Sequence, residues 1–71
     1  MQRRFEYVGG TSAKFWEIIQ VLTEVNVRYG RMGTNGQQQT KSFDDTAAAK
    51  RHAEKLIVEK LRKGYVECVA S

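Results

Sequence analysis

The chain has 71 residues, enough for one domain with a small hydrophobic core, so we expect residues 1–71 to form a single domain. Hydrophobic residues make up 41% of the sequence and charged residues 28%, a balance typical of folded globular domains that argues against intrinsic disorder. Twelve Lys and Arg against eight Asp and Glu give a net charge of +4, which favours polyanionic partners, although solubility alone accounts for it equally well.

The cysteine content and the apolar runs limit where the protein is expected to work. Cys68 is the only cysteine, so a disulfide framework and a cysteine-based metal site are both excluded. The longest apolar runs are a few residues long, and the N-terminal segment MQRRFEYV lacks the apolar stretch of a signal peptide. We therefore expect a reducing, cytoplasmic setting and no membrane partner.

Two strands are predicted in the first third of the chain. Residues 3–8 (RRFEYV) can form a first strand, and the Gly-Gly-Thr-Ser stretch at 9–12 is typical of a turn. Residues 14–22 are rich in aromatic and β-branched side chains, which predicts a long second strand buried on at least one face. Trp16, in this strand, is expected to belong to the core.

A third and a fourth strand are predicted on either side of a glycine-rich turn. Residues 25–31 (VNVRYGR) alternate, which places Tyr29 and Arg31 on the same side of the pleat. Residues 33–36 (GTNG) have the composition of a hairpin turn, and residues 37–43 then return as the fourth strand.

The register of this hairpin decides which side chains share a face. A two-residue Asn-Gly loop would pair Arg28 with Phe43, whereas a three-residue Thr-Asn-Gly loop, with its glycine in the left-handed conformation, pairs Val27 with Phe43. Burial favours the second register, although a bulge at a nearby glycine would change it. The next pairs on this face are Tyr29 with Lys41 and Arg31 with Gln39. Arg28 lies on the opposite side.

A helix and a short final strand are predicted after residue 43. Asp44 or Asp45 can cap the helix, and Gly64 supplies its C-terminal stop. The apolar residues that recur on one side of this helix are Ala49, Ala53, Leu56, Ile57 and Leu61. Residues 65–69 can return as an edge strand. The sum is an α+β fold, in which a small antiparallel sheet of four to five strands carries one long helix on one face.

Three segments of the sequence carry a resemblance to a known family. They are KFWEI at 14–18, VRYGRMGTNGQQQTKSF at 27–43 and AEKLIVEKLRKGYVE at 53–67. The most specific part is Gly30-Arg31-x-Gly33-Thr34 followed by Gly36-Gln37. Over nearly its whole length the chain resembles a WGR domain, named for a Trp-Gly-Arg triplet and found in poly(ADP-ribose) polymerases and in stand-alone bacterial proteins. Tyr29 stands in place of the eponymous tryptophan.

The resemblance implies DNA binding. In the eukaryotic polymerases the aromatic residue of the triplet packs against sugar and base at a DNA terminus, and its arginine contacts nucleic acid and neighbouring domains. Carried over, these roles fall to Tyr29 and Arg31. An aromatic ring can stack on a base for roughly 1–3 kcal/mol, and an arginine presents a rigid fork of donors to phosphate. Gly30, which lacks a Cβ, leaves room for the close approach of another backbone.

We therefore predict a non-catalytic nucleic-acid-binding module that contacts DNA ends or single-stranded junctions. The candidate binding residues are Tyr29, Gly30, Arg31, Gln39 and Lys41. The plain alternative is that the tyrosine only packs in the sheet and that the arginine is only solvated. A module that docks on an acidic protein partner or a neighbouring domain, through the same face, is the second functional hypothesis.

The sequence shows no catalytic or metal-binding set. His52 lies on the helix without a second metal ligand at suitable spacing, and no nucleophile and base can be placed in one pocket. We therefore expect no enzyme activity, no cofactor, no metal and no small-molecule substrate. Arg3 and Arg4 either contact phosphate or belong to a mobile terminus, and the basic residues of the helix are expected to form a solvated face.

Overall fold

The computed structural model describes residues 1–68, which form a sheet and a helix. The elements in chain order are β1 (Gln2–Gly9), β2 (Ser12–Val21), β3 (Glu24–Arg31), β4 (Gln37–Ser42), α1 (Thr46–Arg62) and β5 (Val66–Cys68). Neighbouring strands are antiparallel, in the order β4-β3-β2-β1-β5. The predicted α+β fold is confirmed; residue 69, predicted to end the last strand, lies outside the described range.

The ends of α1 follow from its capping residues. Asp45 is the N-cap, and its side-chain oxygen accepts a hydrogen bond from the Ala48 backbone N–H at 2.7 Å, which satisfies one of the unpaired donors of the first turn. Gly64 follows the helix with a φ of 98°, a left-handed conformation that costs glycine little. Within residues 1–68, no helix is both long enough and apolar enough to cross a membrane.

The core lies between α1 and one face of the sheet. Its buried side chains are Phe5, Trp16, Ile18, Val25, Ala49, Ala53 and Ile57. Leu61, predicted to join the apolar stripe of the helix, is instead 47% exposed. At about 100° per residue, position 61 lies well off the axis of the stripe, whereas position 60 lies close to it. Lys60 therefore occupies the place that Leu61 was expected to take.

The face of the sheet opposite α1, which we call the open face, carries a smaller buried cluster. Phe15 lies on this face and is only 2% exposed. The guanidinium carbons of Arg4 and Arg28 lie 4.9 and 5.4 Å from the centre of its ring. Glu17 holds both groups, accepting hydrogen bonds of 2.7 Å from Arg4 and 2.6 Å from Arg28. Arg28 thus lies on the side of the pleat opposite Tyr29, as predicted.

The stability that this cluster contributes depends on pH, because Glu17 must be ionised to pair with the two arginines. Burial disfavours the charged carboxylate, but hydrogen bonds from Arg28 and Arg4 together outweigh burial, so the net effect is to lower the pKa of this group. A pKa lowered in the folded state means that ionised Glu17 stabilises the fold at neutral pH. This contribution is lost as the pH falls below about 4.3, the ordinary pKa of a glutamate, and on through the lower folded-state pKa.

We therefore expect the urea midpoint of the protein to fall as the pH is lowered from about 5 to about 2, and to fall less steeply in the Glu17→Gln variant. The variant is also expected to be less stable at neutral pH, because the amide cannot neutralise two guanidinium groups. The fluorescence of Trp16 reports the unfolding in both proteins. Parallel pH dependence of the two midpoints would contradict the role of Glu17.

The hairpin formed by β3 and β4 does not have the predicted register. Val27 pairs with Gln39 rather than with Phe43, a shift of four residues, and Tyr29 pairs with Gln37 at the end of the ladder. Residues 32–36 therefore connect the two strands instead of a three-residue turn, and Gly30 and Arg31 pair with β2 but not with β4. Because the shift is an even number of residues, each side chain keeps its predicted face.

Close packing between two glycines explains the longer loop. The loop folds back until the Gly36 backbone lies against Gly30, where an added Cβ would be 2.7 Å from the Gly36 Cα. Gly36 has a φ of 71° and itself packs against the Phe15 ring and the Tyr29 carbonyl. Gly30 does permit the close approach of a backbone, but that backbone belongs to the same chain. The space expected for a ligand beside Gly30 is filled on this side.

β5 is held to β1 by an ion pair as well as by the ladder. Arg4 lies opposite Cys68, and Arg3 donates to both carboxylate oxygens of Glu67, at 2.6 and 2.7 Å. Arg4 is likewise paired with Glu6 and with a second glutamate on β2. Both arginine side chains are therefore paired within the sheet, which corrects the expectation of a mobile terminus.

Candidate nucleic-acid interface

A groove lined by cations and tyrosine rings lies where β2, β3 and the end of α1 meet. One depression, of about 620 Å³, is bounded in part by Lys14, Tyr29, Arg31, Lys60 and Tyr65. An adjoining depression of about 560 Å³ shares several of these walls and adds Tyr7 and Lys63. None of the lining residues, all within residues 1–68, is acidic. We call the two depressions together the basic groove.

Tyr29 is positioned in the groove by the sheet. It pairs with Trp16 on β2 and with Gln37 on β4, and its half-buried ring packs against the core. Its hydroxyl donates a hydrogen bond to Gln37 Oε1 at 3.2 Å. The ring also lines the basic groove. The Tyr29 ring therefore packs against the core on one side and is accessible from the groove on the other.

Arg31 ends β3, opposite Lys14 on β2. Its side chain is exposed and, within the part of the chain that the structure describes, it takes part in no ion pair. The other strand arginines differ in this respect, since each is paired with a glutamate: Arg3, Arg4 and Arg28. The Arg31 guanidinium can therefore meet a phosphate without first breaking an internal contact.

Lys60 is half-buried in the groove, unlike the exposed Lys14 and Lys63. Its Nζ lies 5.6 Å from the centre of the Trp16 ring and 5.4 Å from that of Tyr65. Burial lowers the pKa of this amine, and the positive charges of Lys63 and Lys14 lower it further. The expectation of a solvated basic face is wrong for Lys60, and its position near the axis of the apolar stripe is the sequence signal that could have revealed this.

Tyr7 and Tyr65 also line the groove, although neither was a candidate binding residue in the sequence. Their ring centres are 5.6 Å apart with the planes at 45°, and the Lys14 Nζ lies 5.7 Å from the centre of the Tyr7 ring. A Cβ added to Gly9 or to Gly64 would lie 2.9 or 3.2 Å from atoms of Tyr7. The ring therefore fits a space that two glycines leave for it. Alternation along β1 could have assigned Tyr7 to the helix side of the sheet.

Gln39 and Lys41 share the face of the Tyr-Gly-Arg triplet but lie farther along it. They pair with Val27 and Val25, so the predicted placement of Lys41 opposite the tyrosine, and of Gln39 opposite the arginine, is wrong. Both line a separate depression between β4 and α1. The structure therefore brings Tyr29 and the arginine of the triplet into one site and leaves Gln39 and Lys41 outside it.

His52 borders that separate depression and has a packing role, as expected. Its ring centre lies 4.9 Å from that of Phe43. Burial lowers the pKa of the imidazole, and the positive charges of Lys41 and Lys55 add to the effect. The neutral ring is therefore favoured at this position.

Comparisons with known proteins agree with the resemblance noted in the sequence. The sequence model of the WGR domain matches residues 1–70. Protein YehF of Escherichia coli (strain K12) is 48% identical over 65 residues, which are 92% of this chain and 24% of that protein. YfeS of the same strain is 42% identical over 67 residues, which are 94% of this chain and 28% of that protein. The chain thus spans about a quarter of the length of these curated relatives.

A crystal structure from Bacteroides fragilis has the same fold. It superposes with a TM-score of 0.93 at 46% sequence identity, and the match covers 97% of this chain and 20% of the solved one. The family match extends from β1 to the end of β5 and includes the Tyr-Gly-Arg triplet and the glycines of the loop that follows it. The chain belongs to the WGR domain family.

Proposed function

We propose that this domain binds DNA through the basic groove, at an end or at a single-stranded junction. The WGR domain is in general a nucleic-acid-binding module; the DNA structure and the contact residues are what the proposal adds. The observation that carries it is the composition of the groove, since its described lining combines four cations and three tyrosine rings with no carboxylate. Such a lining suits a polyanion whose bases offer flat surfaces.

The roles of the two triplet side chains follow from the chemistry of a DNA end. The interior base pairs of a duplex are stacked on both sides, whereas a terminal pair or an unpaired base exposes one face. The Tyr29 ring can stack on that face, and because the core already holds the ring, little conformational entropy is lost on binding. The exposed guanidinium of Arg31 can bind an adjacent phosphate through two donors.

Gln39 and Lys41 are proposed as outer contacts. Both are exposed and lie on the same face as the groove, so a strand that continues along β4 would reach them. Their contribution to affinity is expected to be smaller than that of Arg31, since they lie outside the groove. Binding of this kind requires no chemical step, and we infer a non-catalytic role.

Replacement of Arg31 by alanine is expected to weaken the binding of a blunt DNA hairpin by roughly tenfold or more, because a hydrogen bond to a charged group contributes about 1.5–3 kcal/mol. Fluorescence anisotropy at low salt measures this. Lys50→Ala is the matched control, because it removes one positive charge from an exposed position on α1 outside the groove. Raising salt from about 50 to about 200 mM should weaken wild-type binding, with a slope shallower by about one in the Arg31 variant.

Several outcomes would overturn the proposal. They include undetectable binding at low salt, equal losses in the Arg31 and Lys50 variants, and equal affinity for blunt hairpins and for closed circular duplex, which has no end. Recovery of a stoichiometric acidic protein partner without nucleic acid would support the docking hypothesis instead.

A further inference from the structure

The half of the basic groove farther from Arg31 adds one cation and one ring to those that it shares with the other half. The depression of about 560 Å³ is lined by Tyr7 and Lys63 in addition to Lys14, Lys60 and Tyr65, which it shares with the depression that contains Arg31. The two depressions are therefore continuous. A DNA strand stacked on Tyr29 has a direct path from one to the other.

The lysine charges in this half of the groove are not neutralised by any carboxylate of the described residues. Among residues 1–68, the three lysines that line it, Lys14, Lys60 and Lys63, form no ion pair with a carboxylate. Lys60 is also half-buried between two aromatic rings and close enough to the other lysines for their charges to disfavour its own. Three ammonium groups held together in this way repel one another, and a bound phosphate would relieve that repulsion.

The aromatic residues offer a surface beside these charges. Tyr7 and Tyr65 are both half-buried, with ring centres 5.6 Å apart, and an ammonium group approaches each ring, that of Lys14 for Tyr7 and that of Lys60 for Tyr65. Rings alternating with cations are the arrangement by which proteins bind single strands, because bases stack on the rings while the phosphates meet the cations. A paired strand could not use it, since its bases are already stacked within the duplex.

We infer that Lys14, Lys60, Lys63, Tyr7 and Tyr65 form a tail subsite, which binds the phosphodiester and the base of a single-stranded DNA tail that extends from the end held at Tyr29 and Arg31. This inference rests on the proposed function and makes it more specific. The preferred ligand is a tailed DNA end, and a blunt end occupies only half of the groove.

The test compares a blunt DNA hairpin with hairpins that carry a short oligothymidine tail at the 3′ or at the 5′ end, by fluorescence anisotropy at low salt. One of the tailed hairpins is expected to bind roughly fivefold tighter than the blunt one, or more, the equivalent of one stacked base. A tail of abasic residues, which keeps the phosphates and lacks the bases, is expected to recover only part of the gain. Equal affinity of the blunt and both tailed hairpins would overturn the subsite.

Matched variants test whether a preference for the tail depends on these lysines or only on the total positive charge of the protein. Lys60→Ala/Lys63→Ala is expected to abolish the preference for the tail, while Lys50→Ala/Lys55→Ala, with the same change in charge on the exposed surface of α1, is expected to preserve it. Lys63→Glu changes an exposed side chain only, so it tests the subsite even if loss of Lys60 disturbs the packing on Trp16. Equal loss of blunt and tailed binding in these variants would contradict the inference.

Different results would overturn the proposed function and the tail subsite. If blunt hairpins bind with dependence on Arg31 but the tail adds nothing, the proposed function stands and the tail subsite does not exist. If no DNA binds at low salt, the proposed function fails and the subsite with it.

Discussion

Replacing Gly36 with alanine is expected to lower the free energy of unfolding by about 3 kcal/mol, a large part of the roughly 4–10 kcal/mol typical of a domain of this length. Two costs add together. Gly36 has a φ of 71°, which a side chain disfavours, and its added Cβ would overlap the Tyr29 carbonyl oxygen and lie 2.8 Å from Cζ of Phe15. The Tyr29 carbonyl belongs to the backbone of β3, which cannot move aside without breaking its hydrogen bonds to the neighbouring strands.

Gly33→Ala is the matched control for this prediction. Gly33 lies in the same loop with a φ of 89°, but an added Cβ there would meet nothing within 4 Å. Its loss of stability should therefore reflect backbone strain alone, about 1–2 kcal/mol. Urea denaturation followed by Trp16 fluorescence gives both values. A Gly36 variant no less stable than the Gly33 variant would show that the contact with β3 and Phe15 does not determine the path of the loop.

Replacing Phe15 with alanine is expected to cost about 3–5 kcal/mol, as much as the loss of a phenylalanine from an ordinary core. The reason is that its ring is 2% exposed even though it faces away from α1. Truncation would leave a cavity beneath Gly36 and would remove the surface on which the Arg4 and Arg28 guanidinium groups lie. Urea denaturation monitored by circular dichroism measures the loss.

Val8→Ala serves as the control on the same face of the sheet. Val8 is 74% exposed, so its truncation should change the free energy of unfolding by no more than about 0.5 kcal/mol. If the Phe15 and Val8 variants were equally stable, the open face would contribute nothing to the stability of the fold.

The elements of the fold were predictable because each rests on local chemistry. Alternation along residues 25–31 and the helical spacing of the apolar residues between 49 and 57 depend on which side chains can be buried together, and both are confirmed. The helix boundaries were also predictable, since Asp45 and Gly64 satisfy backbone groups within one turn of the helix.

The hairpin register could not be predicted from local chemistry. The Gly-Thr-Asn-Gly stretch has the residues of a tight turn, but the path of the loop is decided by contacts with Gly30 on β3 and Phe15 on β2. These contacts join residues that are distant in sequence, and the side-chain pattern of the loop contains no sign of them. The prediction therefore gave Lys41 a position beside Tyr29, when it pairs with Val25.

The candidate site was predictable only in part for a similar reason. Tyr29 and Arg31 belong to a recognisable triplet, whereas Lys14 and Lys60 come together with them only through the folding of β2 and α1 against β3. A lysine on a helix rich in charged residues is usually solvated, so residue type alone predicts that Lys60 is exposed like the other lysines of α1. Only its place on the apolar side of the helix distinguishes Lys60 from the other lysines.

The pairing of β1 with β5 has a consequence for how such a domain is carried by a longer polypeptide. Cys68 lies opposite Arg4, so the chain enters and leaves the sheet at the same end, while Gly9, Lys14 and the rest of the groove lie at the other. A host protein can therefore accept this fold as an insertion between two adjacent residues, with the basic groove directed away from the point of attachment. Linkers at that junction can then vary in length without obstructing the groove.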